Sequence, residues 1–312
     1  MGEARRKRNL TSLAPCICGS PRIAGRCCYD GKQFRRKPSD LDLYNTEESG
    51  ICPNCYLSAT GACSDKTSRE HLVSRAVLTL LKKQQLVVSG MPWQPINTST
   101  AMGFNTLTSR CLCTAHNNAL SPLDEAATQL FRFIECAYSN KSQPGFRGLV
   151  SGHDVERWLL KTLMAFMTSK SLMKNGLPLD APLHPAIDVV TLLNHPLKWP
   201  SASGLYIAGK VGDRLQQTSR FGLAPLTVEK TGELVGMNVE ILGMIVTFIA
   251  TSPSLFTNIP LSASHRPGKI ALQIGEIRNE IKFSWEDSRN HGDFVLTHFP
   301  GGWPDHPPNH HP

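Results

Sequence analysis

Apolar residues recur at helical spacing in two parts of the chain. Leu123, Ala127, Leu130, Ile134 and Ala137 fall on one face of a helix, and the start of that helix is well marked. Ser121 is its N-cap, Pro122 takes the first helical position and Asp124 follows in the first turn. A second amphipathic helix is expected over about 153–173, from Val155, Trp158, Leu159, Phe166 and Met167. A Pro-rich connection then runs through Pro178, Pro182, Pro185, Pro196 and Pro200. Beyond residue 203 the period changes: LYIAGKV, the 237–250 run, KIALQIG and the alternation of Ile281, Phe283 and Trp285 are short β-prone segments. The longest apolar stretch, ILGMIVTFIA at 241–250, is about half the length of a bilayer-spanning helix and reads as buried strand.

These patterns, with the shifts in composition between them, divide the chain. Residues 1–37 form a basic, cysteine-rich head, 38–50 a polar linker, 51–140 a second cysteine-bearing unit, 150–300 an α+β domain and 301–312 a disordered, Pro-rich tail. The expected class is α+β, with a small N-terminal zinc module, a ββα zinc finger and a C-terminal region of short antiparallel strands. At 312 residues and 40% hydrophobic content the chain can bury a sizeable core.

Charge adds a partner. The net charge is +8, and basic residues crowd the head: RRKR at 5–8, then Arg22, Arg26, Lys32, Arg35, Arg36 and Lys37. Such a surface suits a polyanion such as nucleic acid, or simply solvates a flexible arm. The N-terminal MGEARRKRNL lacks the apolar core of a secretion signal, which points to the cytoplasm and to no membrane partner. In that reducing compartment ten cysteines, eight of them in close pairs before residue 114, favour metal over disulfides.

The first group is PCICGSPRIAGRCC, with Cys16, Cys18, Cys27 and Cys28. Four thiolates close a tetrahedral zinc site, and a segment too small to bury a core gains its order from the metal. The spacing C-x-C-G-S-x6-C-C resembles the SEC-C zinc motif, found at the end of the bacterial preprotein translocase motor and appended to many bacterial proteins. The resemblance covers about 14 residues and implies a recruiting role, through a protein partner.

The second group pairs CPNC, with Cys52 and Cys55, and CTAH, with Cys113 and His116, as two half-sites of a structural Cys3His zinc centre. Cys111 competes with Cys113, and the two-residue spacing to His116 favours Cys113. Cys63 is a spare ligand, and Cys136 reads as core. Between the half-sites lies SREHLVSRAVL. This segment and CLCTAHNNALSPLD resemble the two halves of an HNH nuclease finger over roughly residues 51–125. The resemblance implies a metal-dependent endonuclease in which His71 is the general base, Asn105 orients its ring, and Glu70 and Asn117 hold Mg2+ or Mn2+. The cysteines hold only structural zinc. The partner would be nucleic acid, with DNA favoured over RNA. The rival expectation is a non-catalytic zinc scaffold that docks nucleic acid or protein.

Overall fold

The computed structural model describes residues 11–46, 48–81, 86–138, 145, 147–207, 221–253, 264–274, 276–287, 289 and 291–298. The basic run at 5–8 and the tail at 301–312 lie outside them. The fold is mixed α+β. In its first half, β1 (Glu70–His71) is followed by α1 (Arg75–Leu81), β2 (Leu86–Ser89), β3 (Ser99–Met102), β4 (Thr108–Ser109), α2 (Thr114–Ala119) and α3 (Ser121–Tyr138). Next come β5 (Arg147–Ser151), α4 (Gly152–Thr168), β6 (Met173–Lys174), β7 (Leu177–Pro178) and α5 (Val189–Asn194). The remaining strands are β8 (Gly204–Ile207), β9 (Phe221–Thr227), β10 (Leu234–Ile241), β11 (Met244–Ile249), β12 (Ser264–His265), β13 (Lys269–Ile274), β14 (Ile277–Ser284) and β15 (Asp293–His298).

Two larger sheets result. One is antiparallel throughout, in the order β12-β8-β11-β10-β9. Pro225 lies on its edge strand β9, where a missing N–H is tolerated. The 237–250 run is not one strand, because Leu242 and Gly243 both take positive φ and turn β10 back into β11. The other sheet has the order β15-β13-β14-β5 and is mixed: β13 and β14 form an antiparallel hairpin flanked by parallel partners.

α3 runs as its apolar spacing predicts, and Leu123, Ala127, Leu130, Ile134 and Ala137 are all buried. α4 departs from expectation in two ways. Ser151 caps it by accepting from the Asp154 N–H, and it ends at Thr168, just before Lys170 turns left-handed, rather than near 173. It is also buried on every side from Gly152 to Phe166, so its polar residues sit in the interior. The polar positions that make it look amphipathic are there paired with one another and with neighbouring elements. Arg157 bonds Asp154, Ser39 O (2.6 Å) and Leu193 O (2.9 Å), and Asp154 in turn accepts from the Ser39 N–H at 3.0 Å. The 38–50 segment, expected as a linker, is thereby strapped to the fold, with Leu41 and Leu43 in the same buried cluster as Trp158 and Phe248.

His153 gives this interior a pH dependence. Its Nε2 accepts from the Glu286 N–H at 3.1 Å, which fixes the neutral ring with its proton on Nδ1. Burial and the nearby Arg266 push its pKa down to about 4. The unfolded chain takes up this proton near pH 6.5 and the folded chain only near 4, so stability is complete above about 6.5 and declines as pH falls through that window. That span corresponds to about 3 kcal/mol. Denaturant titrations at a series of pH values should show this decline, and His153→Gln should flatten it.

Candidate metal centres and the His71 cleft

Among the described residues two groups of side chains could hold a metal ion: Cys16, Cys18, Cys27 and Cys28, and Cys55, Cys63, Cys113 and His116. Within each, all ligand atoms lie within 4.8 Å of one another.

The first centre is built on tight turns. The Cys16 N–H bonds Arg22 O and the Ala24 N–H bonds Ala14 O, which folds the segment into a small loop. Cys18 and Cys27 sulfurs stand 3.5 Å apart and Cys27 and Cys28 3.6 Å, near the roughly 3.8 Å edge of a tetrahedron of sulfurs at about 2.3 Å from one ion. The thiols are mutually frustrated. Hydrogen bonding from Cys28 holds Cys18 as a thiolate, with its pKa lowered to about 3, while the same contact drives Cys28 far upward. A cation at the centre is what lets all four ionise together.

This module docks on its own chain. Leu149 on β5, the edge strand of the mixed sheet, donates its N–H to Ile17 O at 3.1 Å, and Leu149 packs with Cys16, Cys18 and Cys28. Gln129 of α3 bonds Cys18 O, and the Arg36 N–H bonds Ser284 Oγ at 3.0 Å. One face of the module is thus occupied in cis, covering a sheet edge that would otherwise stay unpaired. Arg22, Arg26 and Lys32 remain exposed on the rest of it.

The second centre corrects one expected ligand: Cys63 belongs to it, and Cys52 does not. The reason is local. Gly50 and Ala62 bridge in parallel, with the Cys63 N–H on Gly50 O and the Gly50 N–H on Gly61 O, so the chain doubles back and carries the Cys63 sulfur to Cys55. Cys52 is buried beside them and its backbone amide donates to the Cys63 sulfur.

Cys113 and His116 come from α2, where Cys113 is at once N-cap and a member of the group, its sulfur accepting from the His116 N–H at 3.4 Å. Burial raises the Cys113 pKa, but hydrogen bonds from the backbone of His116 and Ser64 outweigh it and favour the thiolate. His116 Nδ1 lies 3.5 Å from the Cys55 sulfur, 3.6 Å from Cys63 and 3.2 Å from Cys113. An ion with Zn–S near 2.3 Å and Zn–N near 2.0–2.1 Å requires about 3.6 Å for such pairs. The far nitrogen, Nε2, faces Leu43 O at 3.2 Å and Thr60 Oγ1 at 3.0 Å. Donating to that carbonyl leaves Nδ1 unprotonated and aimed at the three sulfurs. Cys111 stays outside as a buried thiol, its pKa raised to about 11 by burial.

Glu70 and His71 form β1, which pairs with β4 in the register Glu70–Ser109 and His71–Thr108. From β4 the chain passes through Cys113 into α2, so a short two-stranded ribbon leads into a helix anchored at the second centre. Glu70, His71, Leu72, Ser74, Asp124, Trp158, Lys161, Thr162 and Ala165 line a cleft too narrow to admit a water molecule. His71 Nε2 is buried with no hydrogen-bond partner among the described residues, and burial, with Arg75 nearby, lowers its pKa and favours the neutral ring.

The four residues expected to act together are not brought into one place. Asn105 is exposed on a 3-10 turn, offering only its carbonyl to Thr108 Oγ1 at 3.1 Å, and neither it nor Asn117 on α2 lines the cleft. The Glu70 Oε1 lies 2.8 Å from Lys161 Nζ, which also bonds Asp124 Oδ2 at 2.6 Å. Glu70, Asp124 and His71 therefore do not fit Mg2+ or Mn2+ as they stand: they are not among the groups that could hold an ion, and the carboxylates already have a cation. Lys161 and Asp124 were not anticipated as site residues. Asp124 carries only a helix-start signal in the sequence, and Lys161 sits among α4 positions that read as solvent-facing.

Comparisons with protein-family models, with curated proteins and with solved structures returned no match. No helix among the described residues is long and apolar enough to cross a membrane.

Proposed function

We propose that both cysteine centres hold structural zinc and that residues 51–125 form an HNH-like nuclease centre that hydrolyses phosphodiester bonds in nucleic acid, with His71 as general base. The supporting observation is the His71 ring: a neutral imidazole beside the cleft, on the ribbon that leads into the helix at the second centre, its Nε2 buried with no hydrogen-bond partner among the described residues. Such a nitrogen takes the proton from a water attacking phosphorus. The exposed Arg22, Arg26 and Lys32 of the first module, which resembles the SEC-C motif, offer a polyanion a landing surface. DNA is the preferred partner. The cleft must open to admit substrate and water, so this reading includes a conformational step.

A nicking assay on plasmid and on RNA tests it. Cleavage should fall about 10²–10⁴-fold in His71→Ala while metal content per chain stays unchanged. Undiminished cleavage in that variant refutes the assignment. The Glu70–Lys161–Asp124 ion pairs favour a second reading, in which the finger is a non-catalytic zinc scaffold; it predicts salt-sensitive nucleic-acid binding without any cleavage.

A further inference from the structure

Lys161 is an unusual occupant for the middle of a helix that is buried on all sides. It is only 2% exposed, and its ammonium contacts a carboxylate from each of two other elements, Glu70 on β1 and Asp124 in the first turn of α3. Asp124 is itself held by the Ser74 hydroxyl, which accepts from Trp158 Nε1 at 2.8 Å. Each polar group in this chain of contacts supports the next, from the indole to the ammonium. All of them line the same cleft as His71.

A divalent ion would have to enter that arrangement against three obstacles. Lys161 Nζ already lies between the two carboxylates; the cleft has no room for the waters that Mg2+ retains; and the ammonium to be displaced sits on a residue that is buried and paired twice. A compact ammonium is a point charge suited to the place between two carboxylates.

We propose that Lys161 is the resident cation of the His71 cleft, standing between Glu70 and Asp124 where a divalent ion would otherwise sit, so that cleavage at His71 proceeds without added divalent metal. Lys161 acts as a positioning residue. It fixes Glu70, and with it the β1 ribbon that carries His71, and balances the carboxylate charge beside the base. In the reaction a bond forms between water oxygen and phosphorus as the P–O ester bond breaks. His71 Nε2 takes the water proton and returns it to solvent, and the leaving oxygen takes a proton from solvent.

The proposal rests on the nuclease reading for its activity arm and is independent of it for its binding arm. For binding, Mn2+ is titrated into the zinc-loaded full chain and followed by electron paramagnetic resonance. No stoichiometric site is expected; one Mn2+ per chain that disappears in Glu70→Gln overturns the proposal whether or not the protein is a nuclease. For activity, His71-dependent nicking should be unchanged by omitting Mg2+ and Mn2+, with zinc content verified before and after. Lys161→Met should lose about 10²-fold, the usual size of a misplaced reacting geometry. A requirement for added Mg2+ or Mn2+ in the unaltered protein, or full activity in Lys161→Met, overturns it. If Lys161→Met does not fold, the unaltered protein's metal dependence and the Mn2+ titration still decide. Cleavage absent under every condition refutes the nuclease reading, and the Mn2+ titration alone then judges Lys161.

Discussion

Cys63→Ser is expected to release one metal ion per chain and to unfold the region around α2, whereas Cys52→Ser should keep both ions. The contrast follows from the second centre, where Cys63 completes the group with Cys55, Cys113 and His116. A hydroxyl in place of a thiolate gives that ion a weak fourth ligand. Structural zinc, as proposed for this centre, contributes on the order of 10–16 kcal/mol to the folding of small domains, so losing most of it is comparable to the 5–15 kcal/mol net stability of a typical protein. The damage should spread beyond the centre. His116 Nε2 holds Leu43 O, and Leu43 belongs to the strap over α4 and the main core. Atomic absorption on the purified variants measures the ions, and limited proteolysis maps the unfolding. Retention of two ions by Cys63→Ser with loss of one by Cys52→Ser would reverse the ligand assignment.

The choice between these two cysteines shows where sequence reading ends. Spacing identified Cys113 and His116, because a pair within one turn is a local property; it picked Cys55 as half of CPNC, whose other half, Cys52, lies outside the group. The first cluster was legible for the same reason: its four cysteines lie within thirteen residues, and local turns bring their sulfurs together. The fourth ligand of the second centre depends on how residues 50–63 double back, through backbone bonds between Gly50, Gly61 and Cys63 that leave no side-chain signature. The C-x2-C spacing of CPNC was a stronger sequence signal than the lone Cys63, and the backbone overrode it.

The cleft was less legible still. Glu70 and His71 are adjacent in sequence and could be singled out, but their partners arrive from α3 and α4, more than fifty residues away. Periodicity placed α4 and gave its apolar positions correctly; it could not show that the polar positions are interior too. A helix buried on one side and a helix buried on all sides with paired charges have the same apolar stripe. The difference is whether carboxylates and cations from other elements meet its polar face, and only the tertiary fold supplies them. Lys161, Arg157, Glu156 and Asp154 all fall in this class.

The same class gives the second large effect: Arg266→Met should destabilise the protein by about 3–5 kcal/mol. Arg266 follows β12 and grips Glu156 of α4 with two parallel bonds, Nε to Oε1 at 2.8 Å and an Nη to Oε2 at 2.9 Å, while its other Nη reaches Asp287 beyond β14 at 2.9 Å. It thereby ties the central helix to both larger sheets. Glu156 is wholly buried and also accepts the Leu205 N–H at 2.8 Å. Removing the guanidinium strands a carboxylate whose pKa burial already raises, and the cost is mainly that orphaned charge rather than the lost attraction. The carboxylate is approached closely by backbone: at Gly204, φ 118°, an added Cβ would stand 2.0 Å from Glu156 Oε1, so only glycine fits there. For a chain of this size the loss amounts to a fall in Tm of roughly 10 °C. Combining Arg266→Met with Glu156→Leu removes both charges and should recover much of the stability, so the double variant melting above the single one is the decisive comparison. If the single substitution leaves Tm unchanged, the network is not what joins the sheets, and packing around Trp285, over whose ring the Arg266 guanidinium lies at 5.3 Å, must hold them instead.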